Sequence, residues 1–348
     1  MTGKYYICNQ ERPTFFNPES NTHRMEYISF GPADVGRPLS FYLAAEEYVA
    51  RHVEADDCFF MWRVEPSVIF GRNQLIENEV NTDYCREHDI KMYRRKSGGG
   101  CVYADMGNVM LSYITREENV NFTFNRYMNM LVLVLYKMGI EAKATGRNDI
   151  LIDGRKVSGN AFYHIPGRSI VHGTLLYDTQ MENMAAAITP SQAKLESKGV
   201  ESVRQHVALL KEHTTMPLTD IMAFFRAQLC HGETILDSKA IDEIEHIERG
   251  YLDDSFIYGR NPRYSVVRMQ RIEGVGDIEV RMEMKNGIIK QMELLGDFFV
   301  VGDIDAITHA LRNVALERTA LDAALPTHLD DIILHLDKTS FIDMLIHH

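Results

Sequence analysis

Asp149-Ile150-Leu151-Ile152-Asp153-Gly154-Arg155-Lys156-Val157-Ser158-Gly159 is two apolar runs joined by an Asp-Gly pair. Asp-Gly is a favoured two-residue turn of type I′, so the stretch reads as a β-hairpin. Lys156 is its odd member, a cation among apolar neighbours with Gly159 just beyond. Glycine inside a strand often marks close approach by a ligand or another backbone. A lysine there can serve a carboxylate or a phosphate as a point charge. On this stretch alone, a solvated hairpin lysine is the plainer account.

A second block shifts the balance. Arg94-Arg95-Lys96-Ser97-Gly98-Gly99-Gly100-Cys101-Val102-Tyr103 sets three cations before three glycines. Consecutive glycines let successive N–H groups converge on one point, which makes an anion cradle, and the cations supply charge. No Gly-Lys-Ser/Thr follows, so this is not a Walker loop. The next run, Val109 to Ile114, reads as a strand rather than a helix opening, which excludes a dinucleotide fingerprint.

Composition sets outer bounds. The chain has 348 residues, suggesting about two domains, and 37 basic against 49 acidic residues, net −12. That balance argues against nonspecific nucleic-acid binding. Cys8, Cys58, Cys85, Cys101 and Cys230 form no metal-ligand spacing and suit reduced thiols in the cytoplasm. The first dozen residues lack a signal-peptide core, and the run Met130 to Tyr136 is too short to span a membrane.

The chain is punctuated as an α/β (α+β) protein. Pro38 to Val53 reads as an amphipathic helix, and Phe59 to Phe70 as two strands broken at Glu65-Pro66. Asp83 to His88 is a short helix before the strand Lys91 to Arg95. Phe124 to Met138 is a helix stopped by Gly139. Glu182 to Ile188 and Leu218 to Cys230 are helical too. The acid-rich stretch between Asp237 and Asn261 reads as a surface helix leading into a connector. Beyond it Ile278, Val280, Met282 and Met284 alternate, Asn286-Gly287 turns, and Ile288 to Leu295 returns. Helical patterns follow at Ile304 to Leu316 and Leu329 to Leu345. Two domains are expected, residues 1–247 and 248–348.

Four ordered blocks resemble the lipoate-protein ligases, members of the biotin/lipoate ligase superfamily. They are Arg94-Arg95-Lys96-Ser97-Gly98-Gly99-Gly100, Gly146-Arg147-Asn148-Asp149, Arg155-Lys156-Val157-Ser158-Gly159-Asn160-Ala161 and His172-Gly173-Thr174-Leu175-Leu176. Similarity continues through Gly71-Arg72-Asn73-Gln74, Lys198-Gly199-Val200-Glu201-Ser202-Val203, Asn261-Pro262-Arg263-Tyr264 and Gly296-Asp297-Phe298-Phe299. Ordered motifs are far more specific than any one of them.

The resemblance implies a mixed-sheet, class II ligase-like catalytic domain with a smaller C-terminal α+β accessory domain. It implies activation of lipoate by ATP with Mg²⁺, then transfer of the lipoyl group to a lysine of lipoyl-domain acceptors. Those acceptors are E2 subunits of 2-oxoacid dehydrogenases and the glycine cleavage H protein. Lys156 becomes the catalytic residue, touching both lipoate and the adenylate phosphate. Arg95, Gly99, Gly100, Cys101, Val102, Tyr103 and Asp149 fall at nucleotide positions. Arg72, Gly98, Gly159 and His172 fall at lipoate positions. Asp149 orients Lys156, helps hold Mg²⁺ or caps a turn. Met181 to Val203 is the expected lid over a water-sensitive adenylate.

The chain departs from the family pattern at Tyr42, Leu75, Ala104 and Val171, where polar residues are usual. Three other readings stay open. A lipoyl or octanoyl transferase on the same scaffold would need a cysteine near the hairpin, and none lies between Cys101 and Cys230. A biotin ligase fits the glycine block less well. A noncatalytic lipoate-binding or lipoyl-domain-binding relative would fit the four departures and not the retained Lys156.

Overall fold

Strand alternation builds the larger unit. The computed structural model describes residues 24–31, 36–74, 76–145, 148–188, 206–258, 266–285 and 287–346. The strands before residue 236 are β1 (Met25–Ser29), β2 (Asp57–Trp62), β3 (Ser67–Phe70), β4 (Lys91–Arg94), β5 (Val102–Ala104), β6 (Asn108–Thr115), β7 (Ala142–Ala144), β8 (Asp149–Ile152), β9 (Arg155–Ile165), β10 (Arg168–Leu176) and β11 (Gly232–Ile235). Eight of them form one mixed sheet, β11-β1-β2-β6-β10-β9-β8-β7, while β4-β3-β5 form a small one. The hairpin read from Asp153-Gly154 is β8–β9, and both turn residues have positive φ, 50° and 76°, as type I′ requires.

Successive side chains go to opposite faces of a sheet. Phe59 and Met61 of β2, with Leu111 and Tyr113 of β6, meet the Val120–Lys137 and Leu218–Leu229 helices through Tyr127, Leu131, Leu135, Ile221 and Phe225. Cys58, Phe60 and Trp62, with Met110 and Ile114, face the Leu39–His52 and Ser238–Tyr251 helices. The result is a sheet with helices on both faces. The Val120–Lys137 helix starts four residues before the expected point because the Asn119 side chain accepts the Phe122 N–H at 3.0 Å.

The Leu39–His52 helix is not simply amphipathic. Eleven of its fourteen residues are buried, including Glu46 and Glu47, because it lies between the sheet and the Ser238–Tyr251 helix. Across that second contact the Ser40 hydroxyl donates to Glu248 at 2.5 Å and Arg37 pairs with Glu245 at 2.8 Å. The Ser238–Tyr251 helix therefore runs unbroken through positions 247 and 248 and packs on the larger unit. The Asp254–Tyr258 helix does likewise, its Ile257 carbonyl accepting from Arg94 Nε at 2.9 Å.

The smaller unit is an antiparallel sheet of β12 (Val266–Ile272), β13 (Gly276–Lys285) and β14 (Ile288–Gly296), covered by the Asp305–Ala310, Arg318–Ala324 and Lys338–Ile346 helices. The expected helix Leu329 to Leu345 is corrected at its first half. Residues 329–336 turn instead, so that Leu334 N–H reaches the Phe299 carbonyl at 3.0 Å and Val301 N–H reaches Ile332 at 2.8 Å. The expected helix Ile304 to Leu316 ends at Ala310, because Asn313 N–H turns back to the Ile289 carbonyl of β14 at 2.7 Å.

The two units meet at the glycine block. Gly99 N–H donates to the Phe298 carbonyl at 3.2 Å, and Gly296 N–H to Asn73 at 2.7 Å. A Cβ on Gly98 would overlap the Phe298 oxygen. Phe299 enters the larger unit's core, stacked on Phe162 with centroids 5.5 Å apart.

Candidate active site

One cavity gathers most of the residues singled out above. Arg95, Gly99, Gly100, Cys101 and Val102 form one wall, and Lys156, Gly159, His172 and Gly173 the facing one, with Leu43, Trp62, Ile69 and Met110 as an apolar floor. The strand order explains the meeting: β9 and β10 lie side by side in the large sheet, and the glycine block spans from β4 to β5 of the small sheet across from them.

Lys156 Nζ lies 2.8 Å from Asp149 Oδ1, its side chain 39% exposed. Gly159 makes room for it, since a Cβ there would stand 2.7 Å from the lysine Cε and Nζ. The strand edge beside Lys156 is occupied by backbone: Ala208 N–H donates to the Lys156 carbonyl at 2.8 Å. Ala208 lies just past the expected lid. Of that lid the Met181–Ala187 helix is described, and residues 189–205 lie outside the described residues, as do Gly146, Arg147 and Leu75.

Of the three cations before the glycines, Arg94 and Arg95 point inward and Lys96 stays half-exposed. Arg94 donates to the carbonyls of Gly71, Arg72, Gln74 and Ile257 and lies over the Phe70 ring at 4.6 Å. Arg95, 4% exposed, donates to the carbonyls of Ile69, Gly98 and Gly100 and to the Ser97 hydroxyl. Burial lowers its pKa to about 10, which leaves it charged at neutral pH. Lys96 pairs with the buried Glu47 and lies over the Tyr251 ring at 4.8 Å. These groups shape the loop: each carbonyl held by a guanidinium is fixed in place.

Four of the remaining positions sit away from the lining. The Arg72 side chain is exposed, while its N–H donates to the Ser97 carbonyl at 2.9 Å. Gly98 faces Phe298. Tyr103 is buried in the small-sheet core, which pushes its hydroxyl up to about 12. Asp149 reaches the cavity only through Lys156. Cys101 lines the cavity, but burial pushes its thiol well above the ordinary range.

Asn148, Asn160 and Thr174 also line the cavity without having been singled out. Asn160 is the organiser. Its N–H and its side-chain amide both donate to the Asn148 carbonyl at 3.0 Å, and its amide oxygen fills the space a Cβ on Gly173 would take. The usable signal was the pairing of a polar residue opposite a glycine, Asn160 across from Gly173 in the β9–β10 register. The three departures among the described residues, Tyr42, Ala104 and Val171, fall in packing positions. Tyr42 stacks on Trp62 at 4.9 Å, and Ala104 and Val171 are fully buried in apolar clusters.

A metal ion fits here only if it arrives with a nucleotide. Asp149 is the carboxylate beside Lys156, and no group of three His, Cys, Asp or Glu side chains suited to a metal occurs among the described residues. Mg²⁺ held by phosphates, water and one carboxylate suits that supply.

Residues 38–230 match the family model described as the lipoyl protein ligase A/B catalytic domain, and residues 261–345 that of the bacterial lipoate protein ligase C-terminus. The chain belongs to the lipoate-protein ligase family. Among these ligases it is 34% identical over 318 residues to the lipoate-protein ligase LplJ of Bacillus subtilis, covering 87% of this chain and 95% of that one. It is 37% identical to lipoate–protein ligase 1 of Staphylococcus aureus, covering 77% and 84%. In fold it is similar to P. falciparum LipL1 in complex with lipoate, with a TM-score of 0.75 at 20% identity over 92% of this chain and 98% of that chain. Lipoate-protein ligase A bound with ATP superposes with a TM-score of 0.57 at 20% identity, over 68% and 98%. The mixed sheet with a smaller antiparallel unit is thus the ligase fold.

Proposed function

We propose that this chain is an ATP-dependent lipoate-protein ligase that forms lipoyl-AMP and passes the lipoyl group to a lysine of a lipoyl-domain acceptor. What supports the reading is Lys156: within a family named for this reaction, it is a half-exposed ammonium whose carboxylate partner among the described residues is Asp149, at the mouth of a cavity walled by glycine backbone. In the first step a lipoate carboxylate oxygen attacks the α-phosphorus of ATP, and the bond to pyrophosphate breaks. Both reactants are anions, so a fixed cation at their meeting point lowers the barrier most. Lys156 exchanges Asp149 for these oxygens. In the second step the acceptor amine attacks the acyl carbon and AMP leaves, with Lys156 holding the departing phosphate. The apolar floor of Leu43, Trp62, Ile69 and Met110 suits a saturated acyl chain.

ATP, with its Mg²⁺ as a charge screen, meets the Gly99 to Val102 wall, with Tyr103 supporting it from behind and Asp149 beside the phosphates. Lipoate meets Gly159 and His172, while Arg72 and Gly98, off the lining, support the glycine loop from behind. The acceptors proposed are E2 subunits of 2-oxoacid dehydrogenases and the glycine cleavage H protein, in the cytoplasm. For the two units, read from the sequence as residues 1–247 and 248–348, we keep the division inside the Asp237 to Asn261 stretch. A cysteine-based transfer is disfavoured by the raised Cys101 thiol.

The test is lipoate-dependent exchange of labelled pyrophosphate into ATP. Exchange that requires lipoate and falls about 10³-fold in Lys156→Ala, with the unfolding temperature kept, is the expected result. A folded wild-type protein without exchange, or a fully active Lys156→Ala, overturns the reading.

A further inference from the structure

Glu46 lies on the Leu39–His52 helix, fully buried and outside the cavity lining, yet a single file of hydrogen bonds joins it to the nucleotide wall. His172 Nδ1 is 2.9 Å from Glu46 Oε2, and His172 Nε2 is 2.7 Å from Ser97 Oγ. Arg95 Nε lies 2.9 Å from the same hydroxyl. A carboxylate only accepts, so His172 Nδ1 carries a proton and donates it to Glu46. With Nδ1 engaged by Glu46, Nε2 is left to Ser97 Oγ, which also accepts from Arg95 Nε. The file runs from a guanidinium at one end to a carboxylate at the other, an arrangement in which each bond polarises the next.

The ends are pinned. Glu46 also accepts from Ser112 Oγ at 2.7 Å, and Ser112 in turn from Trp62 Nε1 at 2.9 Å; the Tyr163 hydroxyl stands at 3.5 Å. The other end, Arg95, grips the Gly98 and Gly100 carbonyls at 2.6 and 2.7 Å. Beside it, Lys96 is tied to Glu47, so consecutive glutamates of one helix hold consecutive residues of the glycine block.

We propose that Glu46 is a positioning residue for the activation step: through His172 and Ser97 it sets the Arg95 guanidinium, and so the orientation of the glycine loop that receives the nucleotide. This deepens the ligase reading and rests on it for the nucleotide. Ser97 serves here as a link, not a nucleophile, because it is wholly buried and already accepts from Arg95.

The experiment compares the full-length wild type, Glu46→Gln, Ser97→Ala and the double variant. Amide hydrogen exchange of the 96–103 segment and steady-state kinetics with varied ATP are measured, with unfolding temperature as control. Glu46 and Ser97 meet only through His172, so a relay through that ring predicts non-additivity. Each single variant raises exchange in the loop and raises KM for ATP about tenfold with kcat nearly unchanged, and the double variant does no more. Unchanged loop exchange in Glu46→Gln, effects that add in the double variant, or a fall in stability that leaves loop and KM alone would each overturn the proposal. Loop exchange needs no substrate. A wild type that forms no lipoyl-AMP would therefore sink the ligase reading while the relay is still judged on the loop.

Discussion

The glycine block and the β8–β9 hairpin both carry cations beside glycine, and they use them in opposite ways. In the block, Arg94 and Arg95 spend their donors on backbone carbonyls and Lys96 on a buried glutamate. In the hairpin, Lys156 is as exposed as Lys96, but its carboxylate partner among the described residues, Asp149, is 30% exposed where Glu47 is buried. The first set are scaffolding, and the last is a charge available to a ligand. A cation in a motif is thus informative only with its partners: a guanidinium in a nest of carbonyls gives the loop its shape, and the ammonium across the cavity does the electrostatic work.

Substitutions can break or sharpen that contrast. The largest effect expected on rate is the Lys156→Ala loss already described, without loss of stability. Arg95→Lys comes next and differs in kind. Lysine cannot span Ile69, Ser97, Gly98 and Gly100 together, so stability should drop by about 2–4 kcal/mol in denaturant unfolding. A stable Arg95→Lys with reduced activity alone would place Arg95 with Lys156 as a ligand contact and erase the contrast. Gly159→Ala should be milder. The Lys156 tip is flexible and can yield to the new methyl, so the fold should be kept while pyrophosphate exchange falls about tenfold from misplacement of the charge. Smallest is Cys101→Ser, which should retain most ligase activity; near-complete loss, with an acyl adduct trapped on the wild-type thiol, would point to transfer through cysteine.

The hairpin was legible in the sequence because Asp153-Gly154 fixes the turn type and the register beside it, though not the bulge between Ile150 and Leu151 that pairs Asp149 with Gly159. The long strands and the Val120–Lys137 helix were legible from period and punctuation. Three things were not. β12 shows half-exposed Val266 and exposed Val267 and Met269, so the alternation that marks a strand is lost at this sheet edge. Residues 329–336 carry Leu329, Ile332, Ile333 and Leu336 at helical spacing, and the pattern is satisfied by turns that pair with Phe299 to Val301 instead. Glu46 and Glu47 look like the solvent face of an amphipathic helix. Nothing local reveals that Lys96, His172, Ser112 and Tyr251 converge on them from distant parts of the chain. The candidate site was found through glycines and Lys156, whose meaning is local; its supporting residues acquire theirs only on folding.

Phe299 makes the smaller unit a stopper in the larger one. Its ring is 2% exposed, seated between Phe124 and Phe162, and was supplied by a segment more than sixty residues beyond the last described strand of the large sheet. A fragment cut between the two units would leave that seat open to water, at a cost of about 2–3 kcal/mol, with a sticky aromatic mouth beside the glycine loop. Anyone preparing the larger unit alone should supply the smaller one as a separate polypeptide, so that the stopper can be returned.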